Sequence, residues 1–108
     1  MSSEWLKEYN ETLKKRRKIY KKIDKLCSKR NITCQKDVAW NEDIHLQFRK
    51  PLINDDYDQN LICYAECYIS SFDIRNRSVN YIILNIKGFV HMSFKSKGPK
   101  GYYRHHVS

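Results

Sequence analysis

The chain has 108 residues, with 21 Lys and Arg against 12 Asp and Glu for a net charge of +9, 41% hydrophobic residues, and only three Gly and two Pro. This length fits one small domain that buries roughly two-thirds of its unfolded surface, enough for a single core and too little for a second one or a large internal cavity. No apolar run approaches the roughly 20 residues that cross a bilayer, and the amino terminus lacks the layout of a signal peptide, so an intracellular protein, cytoplasmic or nuclear, is expected.

The charge is unevenly placed. Residues 1–30 carry 11 basic and 4 acidic side chains, residues 31–94 carry 6 and 8, and residues 95–108 carry 4 and none. A nearly neutral centre between two cationic ends predicts a packed body whose ends face water or an acidic partner.

Residues 3–30 contain no Gly or Pro and repeat apolar residues at helical spacing: Trp5, Leu6, Tyr9, Leu13, Ile19, Tyr20, Ile23, Leu26 and Cys27. One long helix is predicted there. Ser2 or Ser3 caps its start, Glu4 and Glu8 lie where the helix dipole favours an acid, Lys29 and Arg30 lie where it favours a base, and Asn31 stops it. In a heptad frame Arg16 and Arg30 interrupt one of the two core rows, which argues against a regular coiled coil. The apolar stripe is wide, as for a helix laid across a sheet.

Beyond Asn31 the period shortens to two. Asp43 to Phe48 alternates, with Ile44, Leu46 and Phe48 on one side and His45 and Gln47 on the other, and Pro51 ends the run. Residues 51–60 read as an exposed loop with Asp55, Asp56 and Asp58. Leu61 to Phe72 reads as a strand, Asp73 to Ser78 as a turn, and Val79 to Ile86 with Phe89 to Phe94 as a hairpin turning at Lys87 and Gly88. From Lys95 onward two Gly and one Pro break any apolar pattern, which predicts a mobile tail.

The expected fold is therefore α+β: one long N-terminal helix packed on an antiparallel sheet of about four strands, with a flexible basic C-terminal tail. A single domain occupies 1–94 (helix 3–30, sheet 43–94), and the tail occupies 95–108. The small residues Cys63, Ala65 and Cys67 make one strand face a bed for the helix. The opposite face, with Tyr64, Glu66 and Tyr68, needs water, a ligand or another subunit, and a homodimer through it is predicted. Cys27, Cys34, Cys63 and Cys67 read as reduced thiols. Cys63 and Cys67 on a strand stand about 13 Å apart, too far to share a metal, and no metal or other cofactor is expected.

Two constellations point to nucleic acid. Lys14, Lys15, Arg16, Arg17 and Lys18, continued by Lys21 and Lys22, form a cationic helix ridge that can follow a phosphate backbone. Lys97, Lys100, Tyr102, Tyr103 and Arg104 set aromatics among cations, a pattern that stacks exposed bases while holding phosphates. With no helix-turn-helix or finger pattern, single-stranded RNA or a distorted duplex suits this chemistry better than major-groove readout, and RNA is favoured over DNA. Phosphate-loop, nucleophile-elbow and paired-His metal motifs are also missing, so a non-enzymatic nucleic-acid-binding protein is expected. The basic run also matches a short nuclear-import pattern.

The terminal group Tyr102, Tyr103, Arg104, His105 and His106 on a small basic helix-plus-sheet chain resembles the ribosome-dependent messenger-RNA endoribonuclease toxins, which use a cationic cleft with terminal Tyr or His residues. The resemblance covers the last seven residues and the fold class. Those toxins usually begin with a strand and carry a helical pair, where this chain begins with one long helix. It implies a small RNA endonuclease; His105 and His106 are its candidates for proton exchange because imidazole titrates near neutrality, while His45 and His91 read as lone residues on strand faces. The remaining alternative is a protein-interaction module, a dimeric adaptor or inhibitor, whose exposed sheet face meets a protein partner and whose charge steers encounter.

Overall fold

A computed structural model describes residues 2–51, 62–95 and 102–107. The elements run α1 (Ser2–Ser28), β1 (Thr33–Val38), β2 (Ile44–Pro51), β3 (Ile62–Ile69), α2 (Ser71–Asn76), α3 (Val79–Lys95) and β4 (Tyr102–His106). The sheet order is β1-β2-β3-β4, with β1 to β3 antiparallel and β4 parallel to β3. The fold is α+β with the long N-terminal helix and four strands. The sheet is mixed rather than antiparallel because the return to β4 passes through α2 and α3, and a crossover of that kind delivers a parallel neighbour.

α1 forms where its spacing predicts. Ile19, Ile23, Leu26 and Cys27 are buried along one stripe. Asn31 takes a left-handed φ of 55°, which asparagine tolerates better than most residues. The Arg30 and Ile32 amides both donate to the Cys27 carbonyl, at 3.0 and 3.1 Å, and Ile32 tucks into the core behind this stop.

The segment after α1 holds a strand that alternation alone does not reveal. β1 is an edge strand whose inward row includes Lys36, and that ammonium pairs with Asp24 of α1 and lies 5.8 Å from the centre of the Tyr20 ring. A charge in the inward row hides the apolar pattern and guards the edge against further pairing. The strand expected from Leu61 to Phe72 stops at Ile69, and the turn expected at Asp73–Ser78 is displaced by α2. The Ser70 hydroxyl caps α2 by accepting the Asp73 amide at 3.1 Å, and Asp43 accepts the Ser71 amide at 2.7 Å.

The hairpin expected over Val79–Ile86 and Phe89–Phe94 is instead the single helix α3. Ile82, Ile86, Val90 and Ser93 are buried, with Val79, Ile83, Phe89 and Phe94 half-buried beside them, whereas Leu84 and Met92 face water. That is a 3.6-residue stripe. As a strand, Val79–Ile86 would carry apolar residues on both faces, whereas the helix buries them along one arc. Ser78 caps the start by accepting the Tyr81 amide at 3.1 Å. Gly88 makes no turn: its φ is not positive, and apart from its chain neighbours and the backbone of its own helix no atom lies within 4 Å of the place its Cβ would take.

The tail is corrected over its last residues, where Tyr102–His106 is β4. The Val107 amide continues the ladder by donating to the Tyr68 carbonyl at 2.9 Å. The Val107 side chain is buried, giving the edge strand an apolar anchor. The loop expected at 51–60 lies outside the described residues beyond Pro51.

Both long helices cover the same sheet face. Ile44, Leu46, Phe48, Ala65, Cys67 and Ile69 pack against α1 residues Ile19 and Ile23 and α3 residues Ile82, Ile86 and Val90. Ala65 and Cys67 serve as the small-residue bed. Among the described residues no helix packs on the second face, which bears the side chains that matter below.

Candidate nucleic-acid interface

The strand register dictates what the second face presents. Opposite the core row Ile44, Leu46 and Phe48 stand His45, Gln47 and Arg49 of β2. Their cross-strand neighbours on β3 are Tyr68 beside His45 and Glu66 beside Gln47. β4 then sets His106 beside Tyr68 and Arg104 beside Glu66, while β1 adds Asp37 beside His45 and Gln35 beside Gln47. Two rows cross the sheet: Asp37, His45, Tyr68, His106 and Gln35, Gln47, Glu66, Arg104.

The first row carries three stacked rings. His45 and Tyr68 have centroids 4.5 Å apart at 5°, and Tyr68 and His106 have centroids 4.9 Å apart at 16°. The second row centres on Glu66, whose side chain is only 9% exposed although it lies on the face away from the helices. A buried carboxylate is costly unless donors surround it. Here the His45 Nε2 lies 3.0 Å from Oε1, and the Tyr68 hydroxyl donates to Oε2 at 3.4 Å. Arg104 Nη2 lies 3.6 Å from Oε2, and its guanidinium stands 5.8 Å from the centre of the Tyr68 ring. The described part of the face is polar and aromatic, and lacks the aliphatic centre typical of a permanent dimer interface.

The predicted tail residues are divided by the alternation of β4. Arg104 joins the second face. Tyr103 falls in the opposite row beside Ala65 and is 38% exposed. Tyr102 pairs with Tyr64 in the register, and its side chain is outside the description; Lys97 and Lys100 lie outside the described residues. His105 and His106, adjacent in sequence, point to opposite faces. The His105 Nε2 lies 2.6 Å from Asn85 Oδ1, its ring stacks on Phe89 at 5.0 Å, and burial lowers its pKa, with His106 pushing the same way. His105 thus ties β4 to α3, and the two imidazoles cannot exchange protons with one another.

The helix ridge forms, with two residues removed from it. Lys14, Arg17, Lys18, Lys21 and Lys22 are exposed on the arc of α1 opposite the buried stripe, and Lys25 and Lys29 extend it. Lys15 instead turns aside to donate to the Arg75 and Arg77 carbonyls at 3.2 and 2.7 Å, closing the end of α2. Arg16 is half-buried near Tyr20, whose phenol is raised by burial. Lys14 and Lys18 also line a cleft of about 650 Å³ with Glu8 and Glu11, so their field is partly neutralised there. Because α1 packs on the core face, ridge and ring stack lie on opposite sides of a molecule whose shorter dimensions are 23 and 21 Å. No single straight segment of nucleic acid can touch both.

His45 and Glu66 were not among the predicted site residues, and His106 was named only beside His105 in the endonuclease alternative. The available signal was Glu66 itself, a lone acid within the apolar run 61–69. Among the described thiols, Cys27 and Cys34 act on one another, Cys27 being lowered and Cys34 raised, and burial pushes Cys67 up to about 12. Among the described residues no helix is long and apolar enough to cross a membrane. Comparison of the chain with protein-family models, curated proteins and solved structures finds no match.

Proposed function

We propose that the protein binds nucleic acid, RNA in preference to DNA, inside the cell in the cytoplasm or nucleus. The observation that carries this reading is the His45, Tyr68 and His106 ring stack beside Arg104 on a sheet face that no described helix covers. The exposed His106 ring at the β4 end of the stack offers an unstacked base a π surface, and exposed Arg104 offers its phosphate a cation. Single-stranded RNA presents such bases, whereas a duplex hides them. The exposed ridge of Arg17, Lys18, Lys21 and Lys22 adds a second, sequence-independent contact with phosphate on the other side of the molecule.

Fluorescence anisotropy with labelled single-stranded RNA, single-stranded DNA and duplexes, repeated across a salt series, tests the reading. Binding is expected to be tightest for single-stranded RNA and to weaken linearly in log salt. A chain that ignores every one of these polymers at low salt overturns it.

A second reading has its own observation. Trp5 is 66% exposed and Trp40 is 96% exposed, and both line a groove of about 270 Å³ with Tyr9 and Arg75. Trp5 and Tyr9 stack at 5.6 Å. Such an aromatic groove supports a protein-interaction module, including a homodimer through this end of α1 rather than through the sheet. Sedimentation of the wild-type chain and of Trp5→Ala separates a dimer of this kind from a monomer.

A further inference from the structure

Two of the described thiols meet where α1 gives way to β1. Cys34 and Lys36 are the half-buried residues of β1, turned toward α1, and on the helix Asp24 and Cys27 stand one turn apart. The Lys36 ammonium pairs with Asp24. Three helical residues rise about 4.5 Å and two strand residues about 6.6 Å, so the step from Asp24 to Cys27 runs alongside the step from Lys36 to Cys34. That sets Cys27 opposite Cys34, and the Cys34 thiol donates a hydrogen bond to the Cys27 sulfur. The Arg30 and Ile32 amides, both donating to the Cys27 carbonyl, hold the turn between the two cysteines closed. A disulfide needs sulfurs about 2 Å apart, a small local movement from hydrogen-bond contact.

The surroundings divide the roles. The hydrogen bond lowers Cys27 and raises Cys34, and Lys36 and Arg30 add positive charge beside Cys27 against the opposing effects of burial and Asp24. Cys27 is therefore the one favoured as thiolate, while Cys34 keeps its proton. Cys67, fully buried in the core, is pushed up to about 12 and stays a thiol. Cys34 lies half-buried on an edge strand and Cys27 behind it is 4% exposed. The pair is thus reached from the free edge of the sheet by an oxidant of nearly water's size rather than by a bulky disulfide.

We propose that Cys27 and Cys34 are a redox site, which hydrogen peroxide joins in a disulfide that clamps the end of α1 to β1 and which a dithiol reopens. The inference does not depend on RNA binding. The Cys27 thiolate attacks one peroxide oxygen and the O–O bond breaks. The departing hydroxide takes up a proton to become water, and Cys27 is left as the sulfenic acid. The Cys34 sulfur then attacks the Cys27 sulfur, the S–O bond breaks, and the hydroxyl leaves as water with the Cys34 proton. Two thiols and one hydrogen peroxide give one disulfide and two waters, the two electrons passing from sulfur to oxygen. A dithiol returns both electrons by exchange and is itself oxidised to a cyclic disulfide.

The full chain, reduced and then freed of reductant, is treated with hydrogen peroxide, alkylated and digested with trypsin. Cleavage after Lys25, Lys29, Arg30 and Lys36 separates peptide 26–29, which holds Cys27, from peptide 31–36, which holds Cys34. These two peptides are expected as one joined species, with the free thiols of the denatured chain falling from the four of the sequence to two and recovering fully in dithiothreitol. The Tm of the oxidised chain rises by about 4 °C or more, because the closed loop restricts the unfolded chain. Cys34→Ser yields no joined species, and its Cys27 sulfenic acid is captured by dimedone. The joined peptides and the thiol count are read on the wild type and so do not depend on how that variant folds. The proposal is overturned if Cys27 and Cys34 remain alkylatable after peroxide, if they are carried to sulfinic acids unjoined, if either pairs instead with Cys63, Cys67 or another chain, or if the joined chain melts no higher than the reduced one.

Discussion

The two candidate surfaces differ in how much of their geometry is fixed before any ligand arrives. On the sheet face, the backbone register sets each side chain beside its neighbour, and Glu66 draws His45, Tyr68 and Arg104 together. On the helix face, Arg17, Lys18, Lys21 and Lys22 are long exposed side chains whose rotamer freedom is surrendered on contact. Preorganised groups can discriminate among ligands and act on them. Mobile cations attract any polyanion and do so in proportion to dilution of salt.

This contrast can be broken or sharpened by substitution, beginning with the largest effect. Replacing Arg17, Lys18, Lys21 and Lys22 together with Ala should lower the slope of log affinity against log salt by about 3 for single-stranded RNA. An unchanged slope in the anisotropy series would remove the ridge from the interface. Tyr68→Ala should cost about 1–3 kcal/mol of RNA affinity at every salt concentration, leaving the slope intact. A change in slope instead would mean that the sheet face acts only as another patch of charge.

Next comes the pH dependence of the strand that carries Arg104 and His106. Burial depresses the His105 pKa below its ordinary value of 6.5 in the folded chain, so the unfolded chain binds the proton more readily. The stability this residue contributes is present above pH 6.5 and lost as pH falls through the depressed value. Thermal melts between pH 7 and 5 should show a declining Tm, and His105→Asn should make the decline shallower. The smallest effect is at Gly88, on the exposed side of α3. Gly88→Ala should raise stability by about 0.5–1 kcal/mol, read from urea unfolding, because a helix interior favours Ala and nothing obstructs the added methyl.

The parts of the fold legible in the sequence are those decided locally. The α1 stripe and its stop at Asn31 follow from neighbours within two turns, and so does the alternation of β2. α3 is hidden because Val79, Tyr81 and Ile83, like Ile82, Leu84 and Ile86, recur at every second residue over a short window, while Val79, Ile82, Ile83 and Ile86 also hold the helical spacing. Apolar residues on both faces of the supposed strand were the warning, since a half-covered sheet has no use for them. β4 was hidden by the Gly and Pro preceding it. Its alternation, Arg104 and His106 against His105 and Val107, acquires meaning only beside β3. The site suffered the same limit. Arg104 was found from composition, but the pairing of His45 with Glu66 depends on the β2–β3 register across 21 residues. A single-residue slip would send Glu66 into the core.

The placement of the tryptophans governs how this protein will be watched. Both tryptophans of the chain, Trp5 and Trp40, face water around a single groove, and neither belongs to the core. Indole emission therefore starts red-shifted in the native state and changes little when the sheet unravels. Intrinsic fluorescence will report a visitor to the groove by a blue shift or quenching, and will be nearly blind to denaturation, for which far-ultraviolet dichroism is the honest witness.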